Sequence, residues 1–568
     1  MNTRTFRLII VLGIFFLVST ACDLEIGGTP TPTVVPTIDP NALTIASSPE
    51  MAPLLGKLAD SFNAASKGKT GFVPVKIITA SPSDMVAAAL KPDPLFQAMT
   101  PDSSIWLSKL NNEWAAAFAQ ETAAGTDTLP IPRQRYSLPQ RYATSPIVIA
   151  MWEKTAQGMG WPAKALGWNT LQERASQDAN FRWNHPSTSY AAGLLATLAE
   201  FYAGAGVNRG LTEELATSEA TLAYVKKVEG TIRFYGEGES AVLDRIKTDG
   251  TSLLDAFVAQ EQIVLRWNKE NPNQPKLVAV YPVEGTLWAD HPLALLERYA
   301  DFDHALLSNP QRDTFYEFSR YLLSDEIQKQ VLAGGFRPVN LGIDLQANGS
   351  PFKSNPSVDA LQPKTTLQLP PYPVIQVIED YQAYIKRPTN VILVVDTSGS
   401  MEAASKLPRA KTALLSFIGN IKGQKDRLGL IDFSDKIKYN SGLLPVNSAN
   451  KEVITNWVSR MQADGNTAVL DSVLTAFNDL QKLDDSQAIN AIVVMTDGRE
   501  NASTKTNLSK LQNTLTSAKV PVVVFSIAFG QDADVTIMKG LAQVTNGQFR
   551  QAETINLEEL YQLISTYF

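Results

Sequence analysis

At 568 residues the chain is too long for one typical core and calls for two or three domains, and its 44% hydrophobic and 19% charged residues are ordinary globular values. A net charge of −7 leaves no basic field for phosphate and argues against a nucleic-acid partner. The single cysteine, Cys22, excludes disulfides and a thiolate metal site.

Residues 1–21 carry Arg4 and Arg7, the apolar run Leu8 to Val18, and small residues up to Ala21. This is a signal-peptide pattern, with an apolar run too short for a comfortable spanning helix. Cys22 directly after the small residues resembles a bacterial lipoprotein signal, in which the cysteine is lipidated and becomes the mature N-terminus. A plain secretion signal and an uncleaved anchor remain the alternatives, and all three put the rest of the chain outside the cytoplasm. The expectation is a protein lipid-anchored to the cell membrane, at the surface or in the periplasm. Residues 22–40 include the Pro/Thr-rich GGTPTPTVVPTIDP, an extended tether of about 40 Å at ~3.1 Å per residue.

From Leu43 onward short strands alternate with helices, which argues for parallel sheet. Leu43 to Ala46 and Val73 to Ile78 read as strands; Met51 to Ala65 and Met85 to Leu90 read as helices. Four segments together resemble bacterial extracellular solute-binding proteins of the two-lobed type: ALTIASSPEM, DAFVAQEQIVLRWN, YPVEGTLWADHPLALL and FSRYLLSDEIQKQVLAGGFRPVN. The resemblance implies a domain over 41–345. Its lobes would be 41–145 plus 282–345, and 146–281, with crossings near Thr144 and Tyr281. Its cleft candidates are Ser47, Ser48, Ser103, Ser104, Ser187, Thr188 and Ser189, each at a helix start where backbone N–H groups can hold a ligand. Each also reads as a plain cap, and Ser47-x-x-Glu50 as a capping box. Glu237, Glu239 and Glu284 lie in polar turns of the same region and discourage a simple oxyanion.

Residues 346–388 turn to Pro, Asn, Ser and Gln and read as a linker with one helix, Val374 to Ile385. Beyond them, 389–568 form a regular β/α series. Strands are expected at 391–395, 428–433, 436–444 (an antiparallel edge), 491–495, 521–527 and 548–551. Helices are expected at 408–421, 451–462, 468–481, 505–518, 534–545 and 556–567. That is a doubly wound sheet covered on both faces.

Three loops of this series carry the chemistry. VILVVDTSGSM, Val391 to Met401, is a buried strand running into Asp396, Ser398 and Ser400. Asp464-Gly465-Asn466-Thr467 is the second loop; Thr496-Asp497-Gly498 follows the apolar run Ile492 to Met495. Ligands of open α/β sheets bind outside the carboxyl ends of the strands, where these loops sit. Asp-x-Ser-x-Ser, then Thr, then Asp resembles the metal-ion-dependent adhesion site (MIDAS) of von Willebrand factor A (vWA) domains. The resemblance implies a Rossmann-like vWA fold and a metal held by Asp396, Ser398, Ser400, Thr467 and Asp497. Hydroxyl and carboxylate oxygens are hard donors suited to Mg²⁺, or Mn²⁺ or Ca²⁺. A carboxylate from a protein or peptide partner would complete the shell. Asp532, Asp534 and Glu553 read as cap and surface residues.

Catalytic patterns are absent from the sequence. His185, His291 and His304 stand far apart, no H-E-x-x-H or G-x-S-x-G occurs, and Gly68-Lys69-Thr70 lacks the leading glycine of a phosphate loop. The expectation is a non-enzymatic, α/β protein: a two-lobed solute-binding-like domain followed by a vWA domain. One function is cation-dependent, adhesion-type capture of a partner at the cell surface. The alternative is the substrate-binding component of an importer, delivering a small polar solute to a membrane permease with the vWA domain as docking or regulatory module. A scaffold for a surface complex is the third reading.

Overall fold

The computed structural model describes residues 39–568, apart from 123–133, 179, 233, 237, 422, 424, 531, 553–556, 558–560, 562–563 and 565–568. The signal segment, Cys22 and nearly all of the tether therefore lie outside the described residues, as do Glu237, Glu553 and most of the last expected helix. No helix among the described residues is long and apolar enough to cross a membrane.

The first sheet runs in the order Val75–Thr79, Leu43–Ser47, Ala98–Thr100, Pro292–Leu296, Tyr136–Arg141. The first three strands are parallel, and Pro292–Leu296 is antiparallel to both its neighbours. Leu43–Ser47 is buried along its whole length, as a central strand covered on both faces must be. The helix Ala52–Ser66 turns Leu55, Leu58, Ala59 and Phe62 inward at helical spacing and packs them with Phe315 and Phe318 of the helix Asn309–Leu322. Beneath the other face lie Pro82–Ala89 and Ser104–Thr122.

The chain leaves this sheet at Tyr142. The long strand Ala143–Trp152 is the spine of a second sheet, pairing with Ala256–Gln260, Leu277–Val280, Trp288–Ala289 and Arg337–Pro338. Trp183–Pro186 and Phe234–Gly236 extend it in parallel. The return to the first sheet lies at Asp290–His291 rather than near Tyr281. The segment between is held to the second sheet by Thr286, whose hydroxyl donates to the Ile147 carbonyl at 2.6 Å.

The segment 346–371 is not a free spacer. It is strapped along the second lobe by backbone bonds from Ala279 to Ser357 (2.8 Å) and from Leu367 to Thr286 (2.9 Å). It buries Phe352, Val358 and Leu367. Its prolines and polar residues satisfy turns while these widely spaced apolar side chains anchor it. The helix Tyr372–Ile385 then buries Val374, Ile375 and Ile378 in the same lobe's core.

The third sheet has the order Ile437–Asn440, Arg427–Phe433, Thr389–Asp396, Ile489–Thr496, Val522–Phe529, Phe549–Ala552. All pairs are parallel except the edge pair Ile437–Asn440 with Arg427–Phe433. The expected edge strand over 436–444 is split, because Gly442 adopts φ +63° and turns the chain before Leu444–Pro445 pairs again. Helices Lys406–Asn420 and Ser448–Arg460 cover one face; Val469–Leu483, Leu508–Thr516 and Val535–Val544 cover the other.

Candidate functional site

Asp396 ends the strand Thr389–Asp396, and Asp497 follows Ile489–Thr496, its direct parallel neighbour in register Val395 to Met495. Adjacent strands of one sheet thus deliver both carboxylates to one place, each fully buried. The loop carrying Thr467 is sewn to the first by backbone bonds Gly399 N–H to Gly465 O (3.0 Å) and Asp464 N–H to Thr397 O (2.9 Å). Gly465 sits at φ +73°, a left-handed turn that suits glycine.

The side chains converge. Asp396 Oδ1 accepts the Ser398 N–H at 2.7 Å, and its other oxygen accepts the Thr496 hydroxyl. Ser398 Oγ and Ser400 Oγ are 3.1 Å apart, and Ser400 Oγ donates to Asp497 Oδ1 at 2.7 Å. A Cβ built on Gly498 would stand 2.7 Å from Thr467 Oγ1 and 3.5 Å from Ser400 Oγ, so these two hydroxyls flank one small space that only a glycine leaves open. Ser400 is exposed while Asp396, Ser398, Thr467 and Asp497 are buried, which gives the site one open side. All five residues singled out from the sequence are therefore neighbours.

Two buried carboxylates side by side call for positive charge, of which the Lys406 ammonium supplies one unit. Burial pushes Asp396 up to about 6; the hydrogen bonds from Thr496 and Ser398 hold it lower than burial alone would, and the charge of Asp497 adds to the rise. Hydroxyl and carboxylate oxygens converging on one point, with an open side, fit a hard divalent cation. Sequence reading missed the supporting residues. Lys406 places its ammonium 2.6 Å from Asp497 Oδ2. Asn501 Oδ1 accepts the Thr467 N–H at 2.9 Å, and Glu500 and Asp471 between them accept backbone N–H groups from Leu470, Ala502, Ser503, Thr504, Lys505 and Thr506. Lys406 pairs with a carboxylate of the site, and nothing in its spacing marks it.

The cleft candidates of the other domain come from both lobes. Ser47 ends the first strand and Ser48 follows it, Ser103 precedes and Ser104 opens Ser104–Thr122, and Ser187 to Ser189 precede Ala191–Ala205. Ser83 N–H reaches the Ser189 carbonyl at 3.4 Å, closing the two lobes on each other. Ser103 Oγ accepts from Ile105 N–H and Ser187 Oγ from Ser189 N–H, both at 3.3 Å, so these two hydroxyls serve turns of their own chain. Ser47 Oγ donates to the Ser48 carbonyl, and the helix begins at Ala52 with no side-chain cap, so the capping-box reading of Ser47 and Glu50 fails.

Glu50 instead points across the crevice. A Cβ on Gly238 would lie 2.9 Å from its Oε1, and Glu50 lies against the N–H of Ser240, at the start of Glu239–Asp249. Asp102 lies likewise against Ala191 N–H, at the start of Ala191–Ala205. Carboxylates of the first lobe thus stand at the helix N-termini of the second, where an anionic ligand would otherwise sit. Glu50, Asp102 and Glu239 are all buried, and burial first, then their mutual repulsion for Asp102 and Glu239, raises them above the usual carboxylate range.

Two family models match the chain: bacterial extracellular solute-binding protein over residues 43–337, and von Willebrand factor type A domain over residues 390–563. Among curated proteins, the chain is 27% identical over 189 residues to inter-alpha-trypsin inhibitor heavy chain H4 of Sus scrofa, covering 31% of this chain and 20% of that one. The chain thus spans about a fifth of the length of the curated relatives it matches. Among solved structures, a periplasmic thiamin binding protein covers 60% of this chain and 95% of its own, at 12% identity and TM-score 0.39. A von Willebrand factor type A protein from Catenulispora acidiphila covers 32% and 42%, at 19% identity and TM-score 0.29.

Proposed function

Because the chain belongs to the bacterial extracellular solute-binding protein family and carries a von Willebrand factor type A domain at residues 390–563, we propose that it is a cell-surface binding protein whose vWA domain captures a carboxylate of a protein or peptide partner in a divalent-cation-dependent way. The observation that carries this reading is the convergence of Asp396, Ser398, Ser400, Thr467 and Asp497 around the space above Gly498. Mg²⁺, or Mn²⁺ or Ca²⁺, fits this donor set, and when bound supplies a Lewis-acidic position for a partner's carboxylate. The chain's own part is to hold the hydroxyls in place through Asp396 and Asn501 and to keep one side open at Ser400. The reading requires no bond-breaking step. Membership in an extracellular family supports a location outside the cytoplasm, and the pattern around Cys22 supports a lipid anchor.

The test uses the full chain and a panel of Asp- or Glu-containing peptides. Calorimetry should find one Mg²⁺ or Mn²⁺ site, lost in Asp396→Ala with circular dichroism unchanged, and peptide binding that vanishes in EDTA. Peptide capture indifferent to EDTA would remove the mechanism.

A second reading keeps a role for the cleft. A solute-binding domain implies a small solute, and Glu50, Asp102 and Glu239 favour a cationic one over an anion. In this reading the domain serves an importer. A micromolar organic amine found by calorimetry, with anions silent, would support it.

A further inference from the structure

We propose that the second lobe holds a buried, structural divalent transition-metal site formed by His185, Glu200 and Glu229, separate from the vWA site. His185 lies on the strand Trp183–Pro186, Glu200 on the helix Ala191–Ala205 and Glu229 at the end of the helix Glu219–Glu229. One ligand atom from each lies within 4.8 Å of the others, and all three side chains are fully buried.

The unmet polar atoms all point inward. His185 Nδ1 stands 2.8 Å from the Pro186 carbonyl. A carbonyl only accepts, so Nδ1 carries the hydrogen, and in the neutral ring the lone pair is on Nε2. Nε2 has no hydrogen-bond partner, nor has either oxygen of Glu200, nor Glu229 Oε1. The hydroxyl of Tyr235 donates to the other oxygen of Glu229. These are the outer partners that orient metal-bound imidazole and carboxylate.

A charge-assisted bond between His185 and Glu200 does not explain the cluster. Nε2 is 3.7 Å from Glu200 Oε1, well beyond the ~2.7–2.9 Å of a charge-assisted hydrogen bond. Two ligand atoms about 2.1 Å from a shared ion stand roughly 3.0 to 4.2 Å apart, depending on the angle, and the 3.7 Å between Nε2 and Glu200 Oε1 falls in that range. The charge also closes: two carboxylates and a neutral imidazole balance one M²⁺ ion, which makes burial without water tolerable. One imidazole nitrogen with two carboxylate oxygens suits Zn²⁺ or a similar borderline ion better than Mg²⁺ or Ca²⁺.

The site would brace the joint to the vWA domain. Tyr235 stacks edge-on to His185 at 6.2 Å between centroids, and its hydroxyl receives the Arg387 N–H at 3.4 Å. Arg387 lies just before the strand Thr389–Asp396.

The test is a zinc titration of chelator-stripped full chain in excess Mg²⁺, which fills the vWA site, with metal content read by mass spectrometry and Co²⁺ as a visible probe. One equivalent of Zn²⁺ should bind and raise Tm. His185→Asn and Glu200→Gln should weaken it at least about a hundredfold, and Tyr235→Phe about tenfold with the Co²⁺ spectrum retained. Asp396→Ala should leave it unchanged, so this site and the vWA site fail independently. Glu200→Gln removes a buried like charge and, folded without metal, keeps the test valid if His185→Asn does not fold. No zinc equivalent in folded wild type, or one that survives in Glu200→Gln, overturns the proposal.

Discussion

Lys406 holds its ammonium 2.6 Å from Asp497 Oδ2, on the opposite oxygen from the one that Ser400 contacts. Ala404 and Ser405, immediately before it, both adopt left-handed backbone at φ +52° and +56°. Two such non-glycine residues in succession cost roughly 1–2 kcal/mol each, and the turn they make aims Lys406 at the site. The chain thus supplies its own monovalent counter-charge to a carboxylate proposed to serve a divalent ion. Lys406→Met should tighten Mg²⁺ about tenfold, a gain of about 1.4 kcal/mol, while lowering the stability of the metal-free protein. Calorimetry and a melt in EDTA read the two effects; unchanged affinity would mean the ammonium stays clear of the ion.

Thr467→Val keeps the shape of the side chain and deletes the hydroxyl that faces the space above Gly498. The Thr467 backbone bonds to Asn501 remain. Mg²⁺ affinity should drop at least about tenfold with Tm of the metal-free protein nearly unchanged. A loss of Tm with affinity intact would assign the hydroxyl to folding.

Glu239→Gln should stabilise the ligand-free protein. Glu239 is raised in the folded state by burial first, then by Glu50 and Asp102. A carboxyl raised above its unfolded value binds more protons when folded, so its contribution is lost as pH rises above the unfolded value of about 4.5. The gain of the Gln variant should therefore be largest near pH 7 to 8 and fade toward pH 4. Urea denaturation at three pH values checks this; equal stability throughout would show that the bond its Oε1 accepts from the Gln260 N–H, at 3.2 Å, offsets the burial.

His291 gives the opposite sign. Burial pulls it from the ordinary 6.5 down to about 3, and its Nε2 contacts only the Gln260 side-chain oxygen, at 2.9 Å. The unfolded chain binds the proton first, so stability falls as pH drops through 6.5 toward 3, by up to about 1.4 kcal/mol per pH unit. His291→Asn, compatible with the φ of +34° at this position, should flatten that limb relative to wild type. Parallel slopes for the two proteins would contradict the burial argument.

Arg135 and Asp303 form an ion pair at 2.6 Å with both side chains fully buried, and the guanidinium lies 4.4 Å from the Trp114 ring centre. Arg135→Met leaves the Asp303 charge without its partner and should cost about 3–5 kcal/mol. The double variant with Asp303→Leu should recover much of that in the same denaturation assay.

The convergence of Asp396, Ser398, Ser400, Thr467 and Asp497 was legible because each lies in a loop at a strand end or helix start, and short loops at strand ends of a parallel sheet have nowhere else to meet. The β/α alternation announced parallel sheet and the resemblance of four segments implied two lobes, but not their return crossing, since Trp288–Ala289 is too short to read as a strand. The His185 cluster was invisible for a different reason. Its members come from one strand and two helices, and only the packing of those helices on the sheet unites them. The strap over 346–371 misread as linker because turn chemistry dominates its composition, while three buried side chains decide its position.

Arg387 donates to carbonyls on both sides of the seam: Ile232 of the second lobe, and Ser486, Gln487 and Ala488 of the vWA domain. It sits at the root of Thr389–Asp396, whose tip carries Asp396 and which is paired along both edges. A partner pulling on the tip would load this strand lengthwise, so its two ladders would have to shear together rather than peel in turn. At the seam, Arg387 would share that load with the backbone itself and with Arg245 of the second lobe, whose guanidinium donates to the Asn546 and Gly547 carbonyls.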